Sequence, residues 1–548
     1  MNARWGMVVD LNACVGCQTC TIACKHANDT TPGIQWRRVL DVETGAYPDV
    51  ERVFLVVGCQ HCADPPCVPV CPTGATFQRA DGLVAMDYDL CIGCGYCAVA
   101  CPYQARTIAH EQRWYYGADT EQERAAAHPE RLGVAQKCTF CVERIDEAAE
   151  LGLTPGLDLD VTPACAASCI AQAIHFGDFN DSDSHVSRLA RERSTFQMHA
   201  ELGTDPQIKY LYETPAVPGR TGDGGADDAD EQRLRDPANP MVGERQTLWD
   251  LRAAANFTLG GFGSGLAVMA YLAYLAGGVD AWELTGWYVW ACVIMALGLF
   301  AVFLEIGRKR RFLYALRRPH SSWMTREVYC VAVFYPAIVA DLVWPHPALH
   351  ALAALSALGF LYSQARILHA GKGIPAWRAP LMPWMLVLTG LLEGTGLLSV
   401  LLAAFAPRVF GATVSSGLAY ETPLIPAAGL VLAVAGGILW DRYRRTARAN
   451  GIPPLARDVI ARATPWLHVI GHATPAVLFG IVLARPDSPV ALLALAGCSA
   501  LAGGALWKIA IITRAAYQQG FAFGAWPQRG SGERAAPRRG HPAAEVGA

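Results

Sequence analysis

The sequence predicts an α+β domain organised around cysteine ligands, followed by an all-α bundle of eight membrane-spanning helices. Three observations carry this. Sixteen of the nineteen cysteines lie between Cys14 and Cys169. From about residue 249 onward the chain returns repeatedly to apolar runs long enough to cross a bilayer. Between the two lies "PAVPGRTGDGGADDADEQRLRDPANPMVGE", residues 215–244, rich in Gly, Pro and Asp with almost no apolar periodicity, which reads as a linker. With 548 residues, 52% hydrophobic and 17% charged, the chain is too apolar for one soluble domain and too charged in its first half to be all membrane. A net charge of -3 leaves no basic footprint, so no nucleic-acid partner is expected.

The expected divisions are 1–190 for the cysteine domain, 191–248 for an extension and flexible linker, 249–515 for the membrane bundle and 516–548 for a tail of disordered composition. The opening "MNARWGMVVDLNACVGC" shows no basic stretch leading into an apolar run and no twin arginine, so no export signal is expected. A chain kept in a reducing compartment does not build a disulfide framework, and its cysteines are then read as metal ligands.

The sixteen form four quartets: Cys14, Cys17, Cys20, Cys24; Cys59, Cys62, Cys67, Cys71; Cys91, Cys94, Cys97, Cys101; and Cys138, Cys141, Cys165, Cys169. The first and third follow C-x2-C-x2-C-x3-C, and Cys71 and Cys101 each precede a proline, the pattern of bacterial [4Fe-4S] ferredoxins. Three thiolates two residues apart wrap one corner of a cubane, and the fourth points away to a neighbouring cluster. A closed tetrahedral zinc site is the alternative, but it has no use for a third thiol at the same spacing. Four [4Fe-4S] clusters in a ferredoxin-like domain are therefore expected. His26, His61, His110 and His175 are read as solvated or supporting residues rather than ligands.

The stretches "VDLNACVGCQTCTIACK", "GCQHCADPPCVPVCPTGAT", "CIGCGYCAVACPYQAR" and "QKCTFCVERI" followed by "PACAASC" resemble, in order, the iron–sulfur subunit of the DMSO reductase family of molybdoenzymes. The resemblance covers about the first 190 residues. It implies clusters held by Cys14, Cys17, Cys20 with Cys169; by Cys24 with Cys138, Cys141, Cys165; by Cys71 with Cys91, Cys94, Cys97; and by Cys59, Cys62, Cys67 with Cys101. Some relatives replace one cysteine by tryptophan; this sequence keeps all sixteen. No Gly-rich dinucleotide loop and no nucleophile with a paired base is visible here, so this half is expected to conduct electrons and not to act on a substrate.

The clearest apolar runs are Phe257 to Ala276, Gly286 to Leu304, Leu381 to Phe405, Leu424 to Trp440, Trp466 to Ala484 and Val490 to Ile512; two weaker ones run from Val328 to Val343 and from Ala348 to about Leu368. The third span holds Pro336 and Asp341, so a buried or re-entrant hairpin is the alternative there. Sixteen Lys and Arg fall in the connections on one side, from Arg308 to Arg462, against Arg408 and Arg485 on the other. By the positive-inside rule both termini and the cysteine domain face the cytoplasm of a bacterial inner membrane.

Ionisable groups in spans cost roughly 2.5–3.5 kcal/mol on insertion scales and call for a reason. Glu305 closes the second span, Glu327 opens the third, and His468 and His472 stand one turn apart on the seventh. A quinone exchanges two protons with two electrons, so these four are the candidate quinone site; snorkelling to the interface is the alternative for the glutamates. Glu393 and Lys508 are candidates to pair within the bundle. No haem is expected, because His468 and His472 share one helix and His350 lies near the opposite face.

"LEIGRKRRFLYALRRPHSSWMTREV" and "GIPAWRAP" are similar to the anchor subunit of the same family, an eight-helix quinone-binding protein. In that anchor a histidine ending the second span and a glutamate opening the third are tied to menaquinol. Glu327 matches the glutamate, whereas Glu305 stands where the histidine would be, so ubiquinone and menaquinone both stay open. The resemblance implies a fused electron-transfer and anchor subunit. It would work beside a separate molybdopterin catalytic subunit docked near Cys14, Cys17, Cys20 and Cys169, with quinone near Cys59, Cys62, Cys67 and Cys101. The cytoplasmic orientation looks like the sulfite dehydrogenase branch and favours sulfite oxidation. The alternatives are a DMSO or sulfur-compound reductase running from quinol, and an iron–sulfur wire on an ion-translocating bundle.

Overall fold

The computed structural model describes residues 3–46, 49–212, 233–410 and 423–522. In the N-terminal half, Trp5–Asp10 is the inner strand of a four-stranded sheet, antiparallel to Ile174–Asp178 and parallel to Ile208–Leu211, with Thr195–Phe196 at the far edge. Met7, Val8 and Val9 are fully buried, so this strand has apolar side chains on both faces and needs a partner along each edge. Ile208–Leu211, with Tyr210 and Leu211 also fully buried, supplies the second partner. The sheet thus runs past the expected division at residue 190. A hairpin of two ten-residue strands, Arg37–Ala46 against Asp49–Gly58, stands beside it and carries Arg37 inward at its base.

The C-terminal half is a helical bundle. Seven described helices are long and apolar enough to cross a membrane: Leu251–Leu275, Ala281–Glu305, Pro347–His369, Met382–Phe405, Leu424–Arg445, Pro454–Ala484 and Val490–Arg514. The expected third span is also helical, Trp323–Val343, but Arg326, Glu327 and Asp341 lower its apolarity below that of the other seven. It packs along Pro347–His369 and turns Tyr329, Val333, Val339 and Leu342 outward, an exposed apolar face of the kind lipid covers. We number these eight helices first to eighth in chain order. The seventh contains a π-helical stretch at Leu467–Ala473, where the ladder widens around His468 and His472.

The two halves share one apolar core. Trp249 stacks on Trp377 at 5.5 Å between ring centroids, with Tyr96 against it. Backbone polar groups of the cysteine loops are satisfied by the bundle: Trp249 Nε1 donates to Cys94 O at 3.0 Å, Ser322 Oγ to Val70 O at 2.9 Å and Gly373 N to Val99 O at 3.1 Å. Tyr96 Oη in turn donates to Ile367 O at 2.9 Å. Gly133, at φ +65°, meets Gly307 backbone to backbone; a Cβ on Gly133 would lie 2.8 Å from Gly307 O. The basic connection after the second helix makes this junction, with Arg308 N donating to Ile92 O at 3.0 Å and Arg311 Nη1 to Tyr88 O at 2.6 Å.

Residues 516–522 are among those described. Arg245 and Tyr517 form a β-bridge, and Phe521 N donates to Met241 O at 3.0 Å. The expected tail therefore begins by strapping the approach to the first helix; its remainder, 523–548, and most of the expected linker, 213–232, lie outside the described residues.

Candidate functional site

Folding brings the sixteen cysteines, all free thiols, into four groups. Cys14 neighbours Cys17 and Cys169, and Cys20 neighbours Cys14 and Cys169. Cys24 neighbours Cys138, Cys141 and Cys165. Cys62 neighbours Cys59, Cys67 and Cys101. Cys94 neighbours Cys71, Cys91 and Cys97. Links between groups set their order: Cys20 faces Cys165, Cys138 faces Cys59, and Cys97 faces Cys67.

The row has two unlike ends. At one, Cys17 is exposed, and Val15, Ile22 and Ile170, on the segments that carry Cys14, Cys20 and Cys169, are 59%, 63% and 72% exposed. At the other, Cys94 touches the bundle through Trp249. The group that adjoins the bundle at this end is thus Cys71, Cys91, Cys94 and Cys97, and not the Cys59, Cys62, Cys67, Cys101 group expected there. The cause is the docking of the Cys91–Cys97 loop onto Trp249 and Arg308, a tertiary contact that ligand spacing does not report.

The surroundings fit thiolates bound to a cation. Burial pushes the Cys20 thiol up to about 11 and Cys97, Cys101 and Cys138 to about 12, so bare thiols here hold their protons. A bound iron centre would reverse that balance. Buried cations and amides already face the sulfurs. Arg106 Nη2 lies 3.1 Å from Cys67 Sγ and Arg37 Nη2 lies 3.8 Å from Cys165 Sγ. Asn28 Nδ2 reaches Cys24 Sγ at 3.8 Å and Cys141 Sγ at 3.7 Å. Backbone N–H groups of Ala173, Phe140, Ala164 and Thr76 donate to Cys169, Cys138, Cys141 and Cys71 at 3.2–3.5 Å. Lys137 is fully buried and donates to Cys138 O at 2.8 Å and to Val84 O. His61 is buried, with Val84 N donating to its Nδ1 at 3.2 Å and its Nε2 3.1 Å from Cys138 O. It is a supporting residue, held neutral by burial and by the nearby Lys137 charge. Arg106 and Lys137 fall inside the quoted cysteine stretches but were given no role there, and Arg37 lies outside them.

Below Cys94 opens a cavity of about 480 Å³, walled by Trp249, Phe257, Phe303, Leu316 and Val331 and reached by both Glu305 and Glu327. Both glutamates are buried, at 8% and 5% exposure, so neither snorkels. Gln364 Nε2 donates to Glu327 Oε1 at 3.1 Å and to Asn256 O at 3.3 Å. Both Glu305 carboxylate oxygens are without a hydrogen-bond partner among the described residues. Gln364 and Asn256 escaped the sequence reading, although a polar residue inside an apolar run is itself a signal.

His468 and His472 do not join this cavity. They belong to the sixth–seventh helix contact, with His468 Nε2 3.3 Å from Asp441 Oδ1 and His472 lining a separate void of about 20 Å³. The expected four-residue quinone site therefore divides, because among the described residues the seventh helix packs chiefly on the sixth and eighth. Glu393 and Lys508 do pair, Nζ to Oε2 at 2.5 Å and fully buried. His350 stands 3.0 Å from Asp341, near the opposite end of the bundle.

Comparison with known proteins agrees with both halves. Residues 50–128 match the family described as 4Fe-4S dicluster domain, and residues 281–506 match the DMSO reductase anchor subunit (DmsC). A sulfite dehydrogenase subunit of Allochromatium vinosum is 40% identical over 37% of this chain and 81% of its own length. A selenate reductase subunit of Mesobacillus selenatarsenatis is 37% identical over 38% of this chain and 72% of its length. A tetrathionate reductase subunit of Salmonella typhimurium is 38% identical over 38% and 72%. Cysteines in four groups, apolar spans and these matches lead to one assignment: the chain belongs to the [4Fe-4S] electron-transfer subunits of the DMSO reductase family of molybdoenzymes, joined in the same polypeptide to a multi-pass membrane anchor of the DmsC type.

Proposed function

We propose that this chain carries electrons between a separate molybdopterin catalytic subunit and the membrane quinone pool, using sixteen cysteines as ligands of four [4Fe-4S] clusters and the cavity below Cys94 as the quinone site. When bound, the clusters supply reversible one-electron steps in series. The chain's own groups do the rest. Arg37, Arg106 and Lys137 offset the negative charge of thiolate ligands in a buried interior. The exposed apolar side chains Val15, Ile22 and Ile170 give a partner subunit a place to dock. Glu305 and Glu327 stand where protons must be exchanged as a quinone gains or loses electrons.

The observation that carries this reading is the position of that cavity, walled by Cys94 of the last cysteine group on one side and by two buried glutamates on the other. The direction we favour is sulfite to quinone. Arg308 and Arg311 of the basic connection after the second helix contact the cysteine domain, which supports, by the positive-inside rule, our reading of that domain as cytoplasmic at a bacterial inner membrane. The reverse direction is the second reading, favoured by the selenate and tetrathionate reductase relatives.

The test is purification of the full chain with whatever subunit accompanies it. Sixteen iron and sixteen acid-labile sulfide per chain are expected, given about four of each per cubane. Sulfite should bleach the visible absorption through a molybdenum-containing partner, and menadione should restore it. Bleaching by menadiol and recovery with an oxidised sulfur compound would select the second reading. A zinc-loaded, colourless protein would refute both.

A further inference from the structure

Two features of the bundle still without a role, the buried Glu393–Lys508 pair and the His468–His472 couple, adjoin one another and the quinone cavity through successive neighbours. We propose that Asp441, His468, His472, the Glu393–Lys508 pair, Gln364 and Glu327 form a lateral proton path between the face bearing the iron–sulfur domain and that cavity. The proposal rests on the quinone reading of the cavity.

The line begins at the end of the sixth helix, where Asp441 and His468 are both about one-third exposed and stand 3.3 Å apart. His468 and His472 follow at 6.1 Å between ring centroids on the π-helical stretch. His472 enters the void of about 20 Å³ shared with Gly504 and Trp507, room for about one water. Gly504 brings that void to Glu393, since a Cβ there would run into the Glu393 carboxylate. On the first helix, Gly260 and Gly261 leave space on two flanks. A Cβ on Gly260 would lie 2.5 Å from Gln364 Nε2, and one on Gly261 would collide with Lys508 Nζ and Glu393 Oε2. Gln364 then donates to Glu327, which opens on the cavity.

A second observation concerns the polar atoms along the same path. Glu393 Oε1, Gln364 Oε1, Asn256 Oδ1, His472 Nδ1 and Trp507 Nε1 are all buried and without a hydrogen-bond partner among the described residues. Native interiors keep few such atoms, and a succession of them along one path calls for bridging water. A buried Glu–Lys pair within a span, beside glycines that hold the polar groups together, is costly as a mere staple and suited to passing a proton. The balance is simple. A quinone reduced to quinol takes two electrons and two protons; electrons arrive past Cys94, and the protons arrive past Glu327. The reverse reaction releases both.

The test uses the full chain with its clusters, reduced by dithionite and mixed in stopped flow with menadione, in H2O and in D2O, and separately with ferricyanide, which takes electrons without protons. The variants are the charge-neutral double substitution Glu393→Gln with Lys508→Gln, and His472→Phe, which leaves every charge of the pair in place. Both should slow oxidation by menadione about tenfold or more and raise the solvent isotope effect, with oxidation by ferricyanide unchanged. A His472→Phe protein that reacts with menadione within about twofold of the parent rate, or that slows equally with ferricyanide, overturns the path. A parent protein inert to menadione would instead sink the quinone reading itself.

Discussion

Arg106 offers the sharpest check on the electrostatics of the cysteine row. Its guanidinium is buried, with Nη1 donating to Thr76 Oγ1 at 3.1 Å and Nη2 to Cys67 Sγ at 3.1 Å. Burial disfavours the charge, and the sulfurs of Cys67, Cys97, Cys59 and Cys101, once deprotonated as cluster ligands, would favour it. Arg106→Met keeps most of the side-chain volume and removes the charge. Two unit charges about 4 Å apart interact by about 4 kcal/mol at an effective dielectric near 20. An electron added to an iron–sulfur centre is shared over the whole cluster, which roughly doubles the separation and halves the interaction to about 2 kcal/mol. For a one-electron couple that is about 80 mV. The cluster that Cys59, Cys62, Cys67 and Cys101 would hold should therefore become harder to reduce by about 80 mV, read by EPR-monitored redox titration of the full chain. Arg106→Lys should retain most of the parent potential. If Arg106→Met keeps its full iron content and every potential stays within about 20 mV of the parent, the charge is not acting on that group as argued.

Two further outcomes follow from the geometry. Gly133→Ala places a Cβ 2.8 Å from Gly307 O at a left-handed φ of +65°, and should cost about 1–2 kcal/mol, seen as earlier thermal release of the iron–sulfur half from the bundle. An unchanged transition would show that this backbone junction does not hold the halves together. Val331→Phe adds bulk to the wall of the 480 Å³ cavity and should raise the apparent KM for menadione several-fold with ferricyanide oxidation intact; an unaltered KM would place the quinone elsewhere.

Ligand spacing and apolar runs are local properties, and local reading served them well. The C-x2-C-x2-C-x3-C loops, Glu305 and Glu327 at the span ends and the likeness to an iron–sulfur subunit and its anchor were all legible in the chain. The fate of His468 and His472 was not. Helical periodicity placed them on one face, but which neighbour that face meets depends on how the sixth, seventh and eighth helices pack. The strand Ile208–Leu211 was likewise hidden, being four residues whose value to the sheet lies in pairing with Trp5–Asp10 about two hundred positions earlier.

By itself the sequence determined the chemical groups: sixteen thiols at spacings that suit iron–sulfur clusters, and carboxylates at the ends of apolar helices. Tertiary structure alone decided the order. It put Cys94 over the cavity, separated the histidines from the glutamates, and lined the buried cations Arg37, Arg106 and Lys137 along the sulfurs. The physical reason is that a ligand's identity is carried by its own atoms, whereas the path of an electron or a proton is set by through-space distances between residues far apart in the chain.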